Sequence, residues 1–117
     1  MRKILPLLLA LLMLACNRTK HNSASDPAYS MLERVAELNA GGDKHGTLAL
    51  ADSALRMHPA DTTRCWLLSE KAVTLVDMGR MADAVDVARG AYRLAEKLHD
   101  VDAMLNLRGT MGIAYRR

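Results

Sequence analysis

The chain has 117 residues, enough for one domain, and a formal net charge of +3. Half of its residues are hydrophobic, but the first fifteen positions are nearly all apolar, so this share overstates the core. If Arg2 and Lys3 are removed with this segment, 14 of the 16 basic residues remain against 13 acidic ones. Such a balanced chain gives no indication of nucleic-acid binding.

The N-terminal segment has the pattern of an export signal. Arg2 and Lys3 precede the apolar run ILPLLLALLMLA, and Cys16 follows it. A basic start, an apolar centre and a small residue before a cleavage point are typical of signal peptides. The run is shorter than the roughly 20 residues that a transmembrane helix needs. Residues 1–15 are therefore predicted to be a signal peptide.

The sequence MLAC at residues 13–16 resembles the lipobox of bacterial lipoproteins. In that family the signal is cut before the cysteine, which then carries lipid. The resemblance implies lipidation of Cys16 and attachment to a bacterial membrane on its extracytoplasmic side, with the periplasmic side favoured. A plain secretory signal with an incidental cysteine is the alternative.

Residues 16–27 are polar and nearly free of large apolar side chains, so they are predicted to be a flexible tether. With Cys16 bound to lipid, Cys65 would have no partner for an internal disulfide. It is predicted to be a small buried hydrophobic residue rather than a reactive thiol, because no histidine lies near it in sequence.

From residue 28 onward, apolar residues recur at helical spacing. Gly41–Gly42, His58–Pro59 and Gly79 provide helix-stopping signals between the segments. No segment alternates apolar and polar residues as a half-buried strand would. The fold class is therefore predicted to be all-α, with five helices at residues 28–40, 43–57, 62–78, 81–99 and 101–117.

Two parts of this helical region align with each other at an offset of 37 residues. The aligned residues pair Val35 with Ala72, Leu38 with Leu75, Gly42 with Gly79, Leu48 with Val85, Ala51 with Ala88 and Ala54 with Ala91. Small residues recur where two helices must approach closely, and a glycine recurs where the chain must reverse. The pattern predicts stacked helix pairs, each of which covers the apolar face of its neighbour.

This spacing resembles the tetratricopeptide repeat. The second unit carries the resemblance through Leu68, Ala72, Leu75, Gly79, Met81, Ala84, Ala88 and Ala91. The resemblance implies an α-solenoid of antiparallel helix hairpins, with units at residues 28–60 and 61–99 and a partial unit at residues 100–117.

The last segment is similar to the first helix of a third unit, since Gly112 and Tyr115 lie 40 residues after Ala72 and Leu75. We expect an array of about two and a half units that is cut short, with residues 101–117 poorly held. Met111, Ile113 and Tyr115 would then be partly exposed, and exposed apolar residues favour self-association.

No pattern in the sequence indicates catalysis or a cofactor. The histidines, at positions 21, 45, 58 and 99, are scattered and do not form pairs at metal-ligand spacing. His99, Asp100 and Asp102 are predicted to cap a helix rather than to bind a metal. The glycine pair is a turn and not a phosphate loop. We therefore expect a protein without enzymatic activity, metal or cofactor.

The resemblance also implies a binding groove, because the first helix of each tetratricopeptide unit lines a concave surface that receives peptides or helices. The candidate residues are Tyr29, Leu32, Glu33 and Ala36 in the first unit, Trp66, Ser69, Glu70 and Val73 in the second, and Asn106 and Thr110 in the third. Trp66 could anchor a ligand or pack between units, and the sequence leaves both possibilities open.

These features predict a membrane-tethered, non-enzymatic module that binds a protein or peptide partner outside the cytoplasm. One alternative is the N-terminal sensory part of a longer bacterial signalling or transcriptional regulator with such repeats. Another is a helical surface lipoprotein that assists nutrient binding.

Overall fold

The structure is a computed structural model that describes residues 26–116, and this part of the chain is all-α. The five helices are α1 (Pro27–Ala40), α2 (Lys44–Leu55), α3 (Asp61–Asp77), α4 (Met81–Leu98) and α5 (Val101–Arg116). Each predicted segment coincides with one helix, with bounds that differ by at most two residues, so the predicted class is confirmed. The predicted signal peptide, Cys16 and the tether up to residue 25 lie outside the described residues.

Helix α1 begins where the predicted tether was expected to end. The Asp26 carboxylate accepts a hydrogen bond from the Ala28 backbone N–H at 3.1 Å, and Pro27 occupies the first turn. Proline suits this position because its missing N–H would have no partner within the helix. The same carboxylate accepts a second bond from the Ala60 N–H at 2.8 Å. Asp26 therefore joins the start of α1 to the chain just before α3.

The turns after α1 and α3 have the same geometry. Gly42 has a φ of +85° and Gly79 a φ of +79°, a region that favours glycine. In each turn the next residue donates its backbone N–H to a carbonyl five positions earlier, from Asp43 to Leu38 at 3.0 Å and from Arg80 to Leu75 at 2.8 Å. These bonds close the helix C-terminus as in a Schellman motif. The two glycines, 37 residues apart, thus perform the same turn.

The helices pack in chain order and form two layers. Each helix packs against the next in an antiparallel arrangement, and α3 also packs against both α1 and α5. Helices α1, α3 and α5 therefore form one layer, while α2 and α4 form the other. Helix α3 lies at the centre and touches all four other helices.

Small side chains at the helix contacts form much of the core. Between α3 and α4, Cys65 and Ala72 pack with three alanines of α4, which are Ala88, Ala91 and Ala95. Between the first two helices and α3, the buried cluster contains Ala28, Val35, Ala51, Ala54 and Leu67. Alanine allows helix axes to approach closely, which explains how a chain without phenylalanine closes its core.

Helix α5 is buried on one face only. Its buried residues are Ala103, Leu107, Thr110 and Ala114. Its exposed large apolar residues are Val101, Leu105, Ile113 and Tyr115. Met111 is half-buried and packs against the cluster between α3 and α4. The expected exposure at the end of the chain is confirmed, most strongly for Ile113 and Tyr115.

Candidate functional site: a groove across the first, third and fifth helices

An open groove crosses the layer formed by α1, α3 and α5. Its volume is about 400 Å³. The residues that line it are Ala36, Asn39 and Ala40 from α1, Lys44 from the start of α2, Glu70, Val73 and Asp77 from α3, and Asn106 from α5. The groove thus combines small apolar side chains with amide and charged groups from four helices.

A chain of polar contacts joins the first three helices along this groove. The Asn39 side-chain amide donates to the Glu70 carboxylate at 2.7 Å, and its oxygen accepts from the Lys44 ammonium at 3.4 Å. The Lys44 ammonium also forms an ion pair with the Asp77 carboxylate at 2.9 Å. These contacts hold Asn39 in one orientation between a carboxylate and an ammonium group.

Helical periodicity explains why these residues meet. Glu70, Val73 and Asp77 follow one another at three and four positions on α3, so they share a face of that helix. On α1, Asn39 and Ala40 lie three and four positions after Ala36, so all three border one face of that helix. Because α3 packs directly against α5, the α5 side chain nearest to this face, Asn106, completes the groove.

Four of the candidates from the sequence analysis line this groove, namely Ala36, Glu70, Val73 and Asn106. Tyr29 and Glu33 lie nearer to the start of α1 and are not part of its lining. Tyr29 is half-buried and Glu33 is exposed.

Ser69 and Thr110 were candidates for the groove, but both residues are buried, and each hydroxyl bonds to a carbonyl of its own helix. The Ser69 hydroxyl donates to the Cys65 carbonyl at 2.8 Å, and the Thr110 hydroxyl donates to the Asn106 carbonyl at 3.1 Å. Such bonds to the residue four positions earlier satisfy a hydroxyl inside a packed helix. Neither side chain belongs to the groove lining.

Two larger apolar candidates are half-buried and pack against the core. Leu32 is half-buried and packs against the cluster of α1, α2 and α3. Trp66 is half-buried and packs against the cluster that contains Cys65, Ala72 and Leu107. Its indole thus supports helix packing in this structure, which favours the packing interpretation of the two that the sequence left open.

Four residues of the groove lining were not predicted from the sequence, namely Asn39, Ala40, Lys44 and Asp77. Asn39 lies three positions after Ala36, and Asp77 lies four positions after Val73. Extending the predicted face of α1 and α3 by one helical turn would have included both residues. Lys44 belongs to the second helix, and only the turn that follows α1 brings it to the groove. No sequence signal could have identified it.

Cys65 lies in the core, and His99 lies at the end of a helix. Cys65 is free and fully buried, and burial together with the nearby charge of Asp100 raises the pKa of its thiol to about 11. Its protonated sulfur donates weakly to the Ala91 carbonyl at 3.6 Å. His99 ends α4 with a left-handed backbone, and the Asp100 carboxylate accepts the Ala103 N–H at 3.1 Å.

Two further findings concern residues 26–116. In this part of the chain no helix is both long and apolar enough to cross a bilayer, and no group of three or more histidine, cysteine or acidic side chains is arranged to hold a metal ion. Comparisons of the chain with models of protein families, with curated proteins and with solved structures found no match.

Proposed function

We propose that the protein is a non-enzymatic, tetratricopeptide-like interaction module, held on the extracytoplasmic side of a bacterial membrane by lipid on Cys16. Its two layers of helices support this interpretation, since every second helix contributes to one continuous surface. The 37-residue offset also supports it, because Val35 and Ala72 are both buried, and Gly42 and Gly79 form the same turn. In this interpretation α5 begins a third unit.

The observation that carries the proposal is the groove with its ordered polar chain. Ala36 and Val73 provide an apolar surface, while Asn39 and Asn106 provide amide groups that can pair with the main chain of an extended peptide. Such a groove suits a segment of a partner protein that contributes side chains to the apolar surface and backbone groups to the amides.

The charges of the groove favour a partner segment with a basic side chain. Lys44 is paired with Asp77, whereas the Glu70 carboxylate has an amide partner. Among the described residues, the ion pairs do not include Glu70. A lysine or arginine of the partner would therefore find an anionic group that is half-buried, where an ion pair is screened less than at the open surface.

Site-specific photo-cross-linking in cells tests this proposal. A photoreactive residue is introduced at position 73 of the full chain, in the groove, or at position 82, an exposed site on α4. We expect a discrete cross-linked protein from position 73 and none from position 82. Equal yields of the same products at both positions would show that contact is unspecific and would overturn the proposal.

A matched pair of substitutions assigns the contact to the groove charge. Glu70→Gln should reduce the cross-linked product at position 73 by about tenfold, as expected for the loss of a partly desolvated ion pair. Glu96→Gln removes the same charge from an exposed position on α4 and should leave the yield unchanged.

The membrane tether has its own test. In a bacterium with the lipoprotein pathway, the mature chain should gain acyl mass and partition into detergent, and Cys16→Ser should abolish both. More than one acyl chain is expected, since a single chain binds membranes only marginally. A wild-type chain that stays unmodified would refute the tether and leave the groove proposal standing.

A further inference from the structure

The outer face of α5 carries an apolar stripe that no described helix covers. Val101 and Leu105 are 59% and 61% exposed, and Gly109 and Gly112 continue the same line along the helix. A side chain built at Gly109 would meet nothing within 4 Å, and one at Gly112 only the Arg116 guanidinium at 3.8 Å. The first half of the stripe thus carries large side chains, and the second half, which has only glycines, forms a shallow depression.

Helix α3 shows what such a stripe accommodates. Forty residues earlier, Cys65, Ser69 and Ala72 occupy the positions that correspond to Leu105, Gly109 and Gly112. All three α3 residues are buried, and Cys65 and Ala72 pack against the alanines of α4. The stripe on α5 therefore has the shape of a helix-binding face.

We propose that this stripe binds the same stripe of a second copy of the chain, with the two α5 helices antiparallel. If residues 108 and 109 lie at the twofold axis, Leu105 of one copy lies opposite Gly112 of the other. Each leucine then fills the depression left by a glycine, and the close approach of the backbones buries Val101 at both ends.

The charges of α5 also favour an antiparallel second copy. The exposed acidic residue Asp102 lies at its N-terminal end, and the exposed Arg116 lies at its C-terminal end. Arg108, near the twofold axis, is turned towards α4, where its guanidinium donates to the Tyr92 hydroxyl at 3.0 Å. In the antiparallel register, Arg116 of one copy lies opposite Val101 of the other and can reach the neighbouring Asp102 carboxylate, and this contact forms twice. In this structure Arg116 donates to the Gly112 carbonyl at 3.2 Å over an exposed surface, and in the dimer its side chain turns to Asp102 of the second copy. A parallel pair would instead bring like charges together.

One helix face from each copy makes a small interface, so the dimer is weak and needs a covalent readout. Cysteine cross-linking in intact cells provides it, using the full chain with Cys16→Ser and with Leu105→Cys, Gly112→Cys or both. The two positions lie about 10 Å apart along one helix, too far for an internal disulfide. In the antiparallel dimer, the cysteine at position 105 of one copy faces the cysteine at position 112 of the other. Two cysteines at the same position of the two copies are again about 10 Å apart.

We therefore expect a disulfide-linked dimer from the double variant and at least about tenfold less from either single variant. As a matched control, Asp86→Cys with Arg93→Cys places two cysteines seven residues apart at exposed sites on α4, and it should give no dimer above the single variants. A single variant that gives as much dimer as the double variant, or a double variant that gives none, would overturn the proposal.

A charge exchange completes the test. Arg116→Glu in the double-cysteine chain places a carboxylate against Asp102 of the second copy and should lower the dimer yield several-fold. Adding Asp102→Arg restores opposite charges and should restore the yield. A loss that Asp102→Arg does not reverse would contradict the antiparallel register.

Discussion

Helices α3 and α5 lie in the same layer, yet only α3 is packed on two sides. Leu67 of α3 and Leu107 of α5, which are 40 positions apart, are both fully buried. On the opposite side, Cys65 is fully buried against α4 whereas Leu105 is 61% exposed. The burial of a helix face therefore depends on the neighbouring helix as much as on the residues of that face.

The comparison also explains where stability resides. Helix α3 contributes to all three core clusters, of which one is shared with α1 and α2 and the other two with α4 and α5. Helix α5 contributes its buried face to the second cluster and to contacts near Leu75 and Ala84. Substitutions in α3 should therefore weaken the whole fold, and matched substitutions on the outer face of α5 should not.

The largest difference is expected for leucine truncation. Leu67→Ala removes a fully buried side chain between α1, α2 and α3 and should lower the free energy of unfolding by about 2–5 kcal/mol. Leu105→Ala, on the exposed face, should change it by no more than about 0.5 kcal/mol in dilute solution. Urea denaturation followed by circular dichroism measures both, and similar losses would contradict the contrast.

Thiol reactivity compares the same two faces without changing the core. In a chain with Cys16→Ser, the raised pKa of the Cys65 thiol, about 11 against an ordinary value of 9.0, lowers its thiolate fraction about a hundredfold at neutral pH. Leu105→Cys adds an exposed thiol at the equivalent position. In dilute solution, the new thiol should react with a disulfide reagent more than about a hundredfold faster than Cys65. Denaturant should remove the difference.

Added bulk gives the next effect in size. Ala72→Leu forces a larger side chain between α3 and α4 and should destabilise the fold by about 1–3 kcal/mol. Gly112→Leu adds the same side chain at the equivalent place on α5, where only Arg116 is near. There it should stabilise the monomer by up to about 1 kcal/mol through helix propensity. Thermal unfolding of both variants in dilute solution checks the opposite signs.

The smallest effect on stability is expected at the start of α1, where the Asp26 carboxylate connects α1 to the residue before α3. Asp26→Ala should cost about 1 kcal/mol at neutral pH, because the helix cap and the bond to Ala60 are lost. Asp26→Asn keeps a capping oxygen without the charge and serves as its control.

This contribution should depend on acid pH. Burial raises the pKa of Asp26, but the hydrogen bonds from the Ala60 and Ala28 N–H groups outweigh it and lower the pKa below 3.8. A lowered pKa in the folded state means stability that is present above pH 3.8 and lost as the pH falls through the folded value. The stability difference between wild type and Asp26→Asn should therefore shrink below about pH 4. A constant difference down to pH 2 would show that the charge is not responsible.

Much of the fold could be predicted because its signals are local. The five helices follow from apolar spacing and from stop signals such as Gly42, Pro59 and Gly79, which act on the residues beside them. The site was predicted less completely. Glu70, Val73 and Asn106, which were predicted from the sequence, line the groove, and their contact with a partner stays a prediction. Ser69, one position before Glu70, was predicted there too, but it is buried and donates to a carbonyl of its own helix.

That error has a physical cause. One residue corresponds to a rotation of about 100° around a helix, so the residue type alone does not determine which of two neighbouring faces carries the groove. Ser69 and Glu70 both suit an exposed helix face by type. Ser69 is buried in the packed structure, and the position of α1 brings Asn39 to Glu70.

Local signals along the chain determine its helical class, the positions where its helices begin and end, and the small residues that allow the helices to approach. These properties depend on backbone preferences and side-chain size, which act over a few residues. The packing of the helices, in contrast, decides which helix faces are covered. It brings Lys44 and Asp77 together beside Asn39 and leaves Leu105 open to solvent. Those outcomes depend on contacts between residues tens of positions apart, and such contacts exist only once the helices have packed.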